Sequence, residues 1–290
     1  AEGIPNYVAY PNTNWAEEVF SNKLLHNHNL SLRGGNQNTQ YLLSAGYMNN
    51  PGTMPNTGAE RYQLRINLQS KVASFLTVGT QTFGSVQNSS VVDMNTVFQY
   101  LTATVPGVYP KYGGKYGFPS AKEESVTANN PLASLYSLDG DNAVSLLNTT
   151  VFANFDIAKG LRMEAKAHYD NSFTENNIHP VPQERWNFAA NAIGSAAASP
   201  SQLYTQYSLY KSYNVILDNV LKYNTTIAGK HDIGGLAGYN QQYFKLYNFL
   251  ARKTGLLDSS LTTLNTANTL TTISGDAYDY ALRSFFGRLN

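Results

Sequence analysis

From residue 61 to residue 72 polar and apolar side chains alternate with a period of two. Arg61, Gln63, Arg65, Asn67, Gln69 and Lys71 fall on one side; Tyr62, Leu64, Ile66, Leu68 and Val72 fall on the other, with Ser70 the exception. Successive side chains of a β-strand point to opposite faces, so this is a strand with one wet and one apolar face. The pattern recurs in 161–170, where Leu161, Met163, Ala165, Ala167 and Tyr169 alternate with Arg162, Glu164, Lys166, His168 and Asp170. In 150–157, Val151, Ala153, Phe155 and Ile157 oppose Thr150, Asn154 and Asp156, with Phe152 out of step. Weaker versions cover 27–34, 39–47, 76–86, 213–227 and 231–241. The spacing thus predicts eight strands and the start of a ninth at 285–290.

The connections alternate between short and long. Tight links fall at 34–38, 73–75, 158–160 and 228–230; long loops are expected near 48–60, 87–143, 171–212 and 241–283. A soluble sandwich has no reason to place all its short turns at one end. An outer-membrane barrel does, with short periplasmic turns and long extracellular loops. Arg61, Arg65 and Lys71 agree, since each would cost roughly 2–4 kcal/mol at mid-depth on a lipid-facing surface. That face must look into water or a filled lumen. Tyr41, Tyr47, Tyr62, Phe75, Tyr169, Tyr223, Tyr239 and Tyr243 lie near strand ends, where an interfacial girdle places aromatic rings. The expected fold is all-β, a partial antiparallel transmembrane β-barrel with short helices in its extracellular loops. One such helix is expected at 91–101, a compact turn-rich stretch around Tyr109-Pro110 and Tyr112-Gly113-Gly114-Lys115-Tyr116-Gly117, and a helical or mobile stretch at 189–198.

Composition narrows the function. Only 13% of the 290 residues are charged, net charge is +1, and there are 21 Tyr and 13 Phe. That is about half the usual charged fraction, and the aromatic content argues against disorder. No apolar run is long enough for a transmembrane helix. Cysteine is absent, which removes thiol catalysis and Cys-zinc sites. Residues 1–4 carry no basic or apolar region of a signal peptide.

Isolated motifs carry little chemistry. His26 and His28 share a strand face but have no third ligand, so a polar interior or rim pair is the better reading. Asp139-Gly140-Asp141-Asn142 lacks the later ligands of a calcium loop, and Gly229-Lys230-His231 lacks the glycine spacing of a phosphate loop. Two glycosylation sequons, at Asn148 and Asn224, fall in strands. No nucleophile-elbow, zinc-protease or carboxylate-pair pattern is present, so neither an enzyme nor a cofactor is expected. Basic residues are dispersed, which argues against nucleic acid. Aromatic loop residues remain as candidate substrate contacts: Tyr109, Tyr112, Tyr116, Trp186, Tyr204, Tyr207 and Tyr210.

Seven segments follow one another along the chain: Asn14-Trp15-Ala16-Glu17-Glu18-Val19-Phe20; Asn27-His28-Asn29-Leu30-Ser31-Leu32-Arg33-Gly34-Gly35; Tyr41-Leu42-Leu43-Ser44-Ala45-Gly46-Tyr47; Arg61-Tyr62 with Arg65-Ile66-Asn67-Leu68; Asn130-Pro131-Leu132-Ala133; Gly229-Lys230-His231-Asp232-Ile233 with Leu236-Ala237-Gly238-Tyr239; and Ser284-Phe285-Phe286-Gly287-Arg288-Leu289-Asn290. In this order they resemble SusC-type TonB-dependent outer-membrane transporters of Bacteroidota. The resemblance implies a 22-stranded barrel with a plug, a TonB box and a SusD-like surface lipoprotein as lid, importing glycans or peptides. It implies 1–22 as a linker from plug into barrel and 23–290 as the N-terminal part of the barrel. The expected partners are that lipoprotein, TonB through a plug region absent from this chain, the remainder of the same barrel, and outer-membrane lipid. The chain is accordingly expected to be an early barrel portion of a longer transporter. Two rivals are a passive porin-type barrel, which would lack a plug, and a soluble β-rich adhesin, which would extract without detergent.

Overall fold

A computed structural model describes residues 3–119 and 130–290; part of the expected 87–143 loop therefore lies outside the described residues. Nine long strands form one antiparallel sheet. They are β1 (His26–Gly35), β2 (Thr39–Pro51), β3 (Gly58–Ala73), β4 (Leu76–Ser89), β7 (Leu138–Ala158), β8 (Leu161–Pro180), β11 (Tyr204–Ile227), β12 (His231–Leu256) and β13 (Ala267–Leu289), and each pairs with the next in this order. Among the described residues are four α-helices, α1 (Asn6–Ala9) and α2 (Trp15–Val19) ahead of β1, and α3 (Met94–Ala103) and α4 (Pro131–Leu135) in the connection from β4 to β7. Four short strands form a second sheet in order β10 (Ala192–Ser195), β9 (Arg185–Asn187), β6 (Lys115–Gly117), β5 (Lys111–Tyr112).

The short-and-long rhythm is present. At the β11–β12 turn Ala228 and Gly229 both hold positive φ, 55° and 66°, the twist that a two-residue hairpin turn needs. The turn-rich stretch at 109–117 is a miniature hairpin of β5 and β6, reversed by Gly113 and Gly114 at φ 55° and 82°. The small-residue stretch at 189–198, expected to be helical or mobile, contains β10 instead.

The strands run further than the alternation indicates. Residues 171–180 and 204–212, expected as loop, are strand, and so are 241–256 and 267–283. The ninth strand is therefore a full strand of 23 residues, not a beginning. The physical reason is length. A tilted strand crosses the hydrocarbon in about 9–11 residues, whereas β12 has 26. Beyond the hydrocarbon both faces are wet, so polar residues such as Asn171, Ser172, Thr174 and Glu175 fill both sides and the period disappears.

Burial is inverted relative to a soluble fold. The larger buried hydrophobic cluster is Trp15, Val19, Met54, Val97, Val108 and Leu135, in the segment ahead of β1 and in connections at the long-loop end of the sheet; a smaller one is Leu203, Leu256 and Ala267. The segment expected as a linker into the barrel is thus packed in this cap. Trp15 Nε1 donates to the Val105 carbonyl at 3.1 Å and Thr13 Oγ1 to the Val108 carbonyl at 2.8 Å. Asn130, fully buried, pins the cap. Its amide donates to the Pro110 carbonyl (2.7 Å) and the Gly117 carbonyl (3.2 Å), and its oxygen accepts from Ala133 N at the start of α4. By contrast Leu30 on the large sheet is 76% exposed and Phe285 82%. No helix among the described residues is long and apolar enough to cross a membrane, which says nothing of a strand-built barrel.

Candidate functional site

The register sorts the large sheet into two surfaces. One row crosses all nine strands as Leu32, Leu43, Ile66, Thr82, Thr149, Tyr169, Val215, Tyr243 and Ala281, with no charge in it. The adjacent row on the opposite face reads Arg33, Leu42, Asn67, Gln81, Thr150, His168, Ile216, Gln242 and Leu282. Leu30, Leu64, Leu68, Val86, Leu147, Val151, Leu217 and Leu221 join the first face and are all exposed. An apolar surface of this extent must be covered, at about 25 cal/mol per Å² of area removed from water. Lipid covers such a face on an outer-membrane barrel.

Aromatic rings edge the apolar face. Tyr47 and Tyr62, direct cross-strand partners, have ring centroids 5.1 Å apart, and His28 stacks on Tyr47 at 6.4 Å. His26 and His28 therefore belong to the rim on the apolar side, and the polar interior is excluded by their register. No group of three metal-ligating side chains occurs among the described residues.

The polar face is cross-linked on its β7–β12 half. Lys222 Nζ meets Glu164 Oε1 at 2.7 Å, and His168 bridges Asp170 (2.8 Å) and the Thr150 hydroxyl (2.7 Å). Asn148 donates to Asp170, Asn240 to Asp218 and Gln242 to Asn214. Phe152, the residue out of step in the sequence, lies on this face with its ring over Gly79, its direct cross-strand partner, where no Cβ fits. Phe83 on the same face carries the Arg65 guanidinium 5.3 Å from its centroid. The two rings on the polar face thus cover a glycine and a cation, and Phe152 is no error of register.

The seven candidate contact residues separate into three groups. Tyr109 and Tyr112 pack edge-on around Phe188, with Tyr7 beyond Tyr109. Burial raises the Tyr109 phenol above its ordinary pKa, aided by Tyr7 and Glu18. Tyr116 and Trp186 lie on neighbouring strands of the small sheet. Tyr116 stacks on Tyr136 at 6.4 Å with Lys111 Nζ 4.6 Å over its ring, while Lys115 Nζ lies 3.2 Å from the Trp186 centroid. Burial lowers the pKa of Arg185 beside them.

Tyr204, Tyr207 and Tyr210, expected in a loop, lie on β11 and face different ways. By register Tyr204 and Tyr210 share the polar face with Asn214, and Arg252 lies 3.5 Å over the Tyr204 ring. Tyr207 turns to the opposite side, where its hydroxyl donates to Glu175 at 2.8 Å. Strand membership, not loop position, decides which of the three faces the interior. Sequence reasoning missed Tyr7, Tyr136 and Phe188, because nothing local marks residues joined only by tertiary packing.

No protein-family model matches the chain. Among curated proteins it is similar to TonB-dependent receptors of Formosa agariphila: 24% identical to receptor P39 over 90% of this chain, and 22% identical to receptor P3 over 98%. The chain spans about a quarter of these relatives' length, 24% and 28%. Among solved structures it superposes on that of the RagAB peptide transporter with a TM-score of 0.78 at 22% identity, over 96% of this chain and 31% of that one. The 'open-open' state of the RagAB peptide importer gives 0.75. The fold is that of about a third of the chain in the RagAB structure, and the similarity to TonB-dependent receptors anticipated from the ordered motifs holds over nearly the whole chain.

Proposed function

We propose that this chain forms barrel wall and extracellular loop layer of a SusC-like, TonB-dependent importer in the bacterial outer membrane. The observation that carries the reading is the segregation of the nine-stranded sheet. An exposed apolar face backs a hydrogen-bonded polar face, with every tight turn at one end and a packed cap at the other. A soluble adhesin would bury the apolar face. A passive pore would share it, but the similarity to TonB-dependent receptors favours gated import.

In this reading nutrient is captured among the loops beneath a SusD-like lipoprotein and passes along the polar face once TonB acts on a plug. The cargo is a peptide or a glycan; the RagAB structures favour the peptide. Trp186 and Tyr112 are the contact residues proposed in the loop layer, Tyr204 and Tyr210 those on the interior wall. The chain supplies binding and passage, not catalysis. The test is uptake by cells carrying the full-length protein with Trp186→Ala and Tyr112→Ala combined. Reduced uptake with normal surface abundance is expected; unchanged uptake and binding would remove these two residues from the site.

A further inference from the structure

On β11 the outward face runs Tyr223, Leu221, Asn219, Leu217, Val215, Tyr213 and then Lys211. From Tyr223 to Tyr213 it matches the about 9–11 residues of a tilted crossing, so Lys211 stands just above the hydrocarbon. On β12 Lys245 follows Tyr243 in the same way. Lys211 pairs directly with Tyr247 and Lys245 with Tyr213, so the two cations are diagonal neighbours, their Cα atoms about 7–8 Å apart. The carboxylates nearest them on this face are taken by tyrosines. Tyr243 donates to Asp279 at 3.1 Å and Tyr207 to Glu175 at 2.8 Å. Neither lysine has an ion-pair partner among the described residues.

A groove of about 480 Å³ lies on the same outward face, beneath the rim. Leu64 and Leu147 wall it, Gly84 and Ala45 form its floor, and Tyr62 and Val86 line its upper end. Gly84 is the informative residue. A Cβ there would meet only the Leu146 carbonyl oxygen at 3.8 Å and Leu147 Cδ1 at 4.0 Å, both ordinary contacts, and its φ is not positive. Gly79 and Gly238, by contrast, lie under aromatic rings. Neither packing nor backbone requires glycine at 84, and glycine weakens a strand interior. What the missing side chain provides is the groove. Its row continues through Asn171 to Tyr213, with Lys211 on the diagonal above.

We propose that the outward face from β4 to β12 holds a phosphorylated, multi-chain lipid of the outer leaflet, of the lipid A type. Its phosphate lies between Lys211 and Lys245, and one acyl chain fills the Gly84 groove. This rests on the reading of the apolar face as the lipid side.

Order along the membrane normal selects the occupant. Cations just above the hydrocarbon and an apolar groove within it suit one molecule with an anionic head and hydrocarbon below. From Gly84 to β11 is three strand spacings, about 14 Å. That is too wide for a single chain under its own head group, and it matches a lipid bearing several. A second protein wall would leave the groove unfilled, and a free anion would use the lysines alone.

The test uses the full-length protein in detergent, stripped of lipid and titrated with lipid A or with dephosphorylated lipid A. Bound lipid is counted by native mass spectrometry. Lipid A should be held several-fold more tightly than the dephosphorylated form. Lys211→Gln combined with Lys245→Gln should erase that preference. Gly84→Leu, which fills the groove, should weaken both forms several-fold and leave the preference intact. Heat-modifiable gel mobility establishes that each variant is a folded barrel.

Equal affinity for the two forms, a preference that survives loss of both lysines, or unaltered binding by Gly84→Leu would overturn the proposal. So would inorganic phosphate shielding Lys211 and Lys245 from amine labelling as fully as lipid A does, which would make the occupant a free anion. Shielding that rises with protein concentration in the absence of lipid would make it a second wall. Failure of the barrel reading shows separately, as loss of lipid access at Val215 and Leu217.

Discussion

Replacing Ile66 by arginine separates a lipid-facing wall from any soluble arrangement of the same strands. Ile66 sits at the middle of β3, paired with Leu43 and Thr82 on the apolar face. Against lipid, arginine at mid-depth costs about 2–4 kcal/mol, a factor of about thirty to several hundred in the folded-to-unfolded ratio. The neighbouring change Asn67→Arg introduces the same side chain on the opposite face, two strands from Arg33 and level with Gln81. There it meets water and should cost below about 1 kcal/mol, the range of an exposed charge contact. The assay is urea unfolding of the full-length protein in lipid vesicles, read as heat-modifiable gel mobility. A large loss for Ile66→Arg and a small one for Asn67→Arg is expected. Equal losses, or the reverse order, would refute the assignment of the faces.

Three further outcomes follow from single contacts. Gly79→Ala sets a methyl against the Phe152 ring and the Leu68 carbonyl, so it should cost about 1–3 kcal/mol by the same unfolding assay, partly recovered in combination with Phe152→Leu. Asn130→Ala removes the N-cap of α4 and leaves the Pro110 and Gly117 carbonyls without their side-chain donor; a loss of about 1–3 kcal/mol should appear as faster proteolysis of the cap while the barrel keeps its heat-modifiable mobility. The Asp93 carboxylate caps α3 by accepting from Thr96 N and Oγ1, which holds its pKa below the ordinary value. A lowered pKa in the folded state means the cap contributes fully above the ordinary carboxylate value and is lost as pH falls through the folded one. The protection of α3 amides, taken relative to the intrinsic exchange rate at each pH, should therefore fall on acidification below about pH 4; Asp93→Ala, a loss of about 1 kcal/mol at neutral pH, should remove that dependence.

The legible parts of the sequence are those where the surroundings leave no choice. Between Arg61 and Lys71 hydrocarbon on one side and water on the other force strict alternation, so strand, faces and tight turns could all be read. Above the hydrocarbon that constraint ends. Residues 171–180 and 267–283 pair as firmly as any, yet with both sides wet their composition resembles loop. Backbone pairing keeps them in the sheet, joined by cross-strand contacts such as Tyr207–Glu175 and Phe244–Tyr280.

The loop layer was legible only as composition. That Tyr112 would meet Phe188, that Trp15 would donate to Val105, or that Asn130 would hold two distant carbonyls follows from tertiary packing with no local signature. Composition marks the aromatic candidates only as a group and does not sort them by direction. Tyr210 and Tyr207 differ in direction only because three residues separate them on one strand.

The central claim is that the nine-stranded sheet stands in a membrane with its polar face inward. The chain has no cysteine of its own, so single cysteines at positions 62 to 69 of β3 can be spin-labelled in the full-length protein in lipid vesicles. Relaxation by lipid-soluble oxygen is expected to peak at Tyr62, Leu64, Ile66 and Leu68 and to dip at Gln63, Arg65, Asn67 and Gln69. A profile without that two-residue period, or one in which water-soluble relaxant reaches the even positions as readily as the odd, would contradict it.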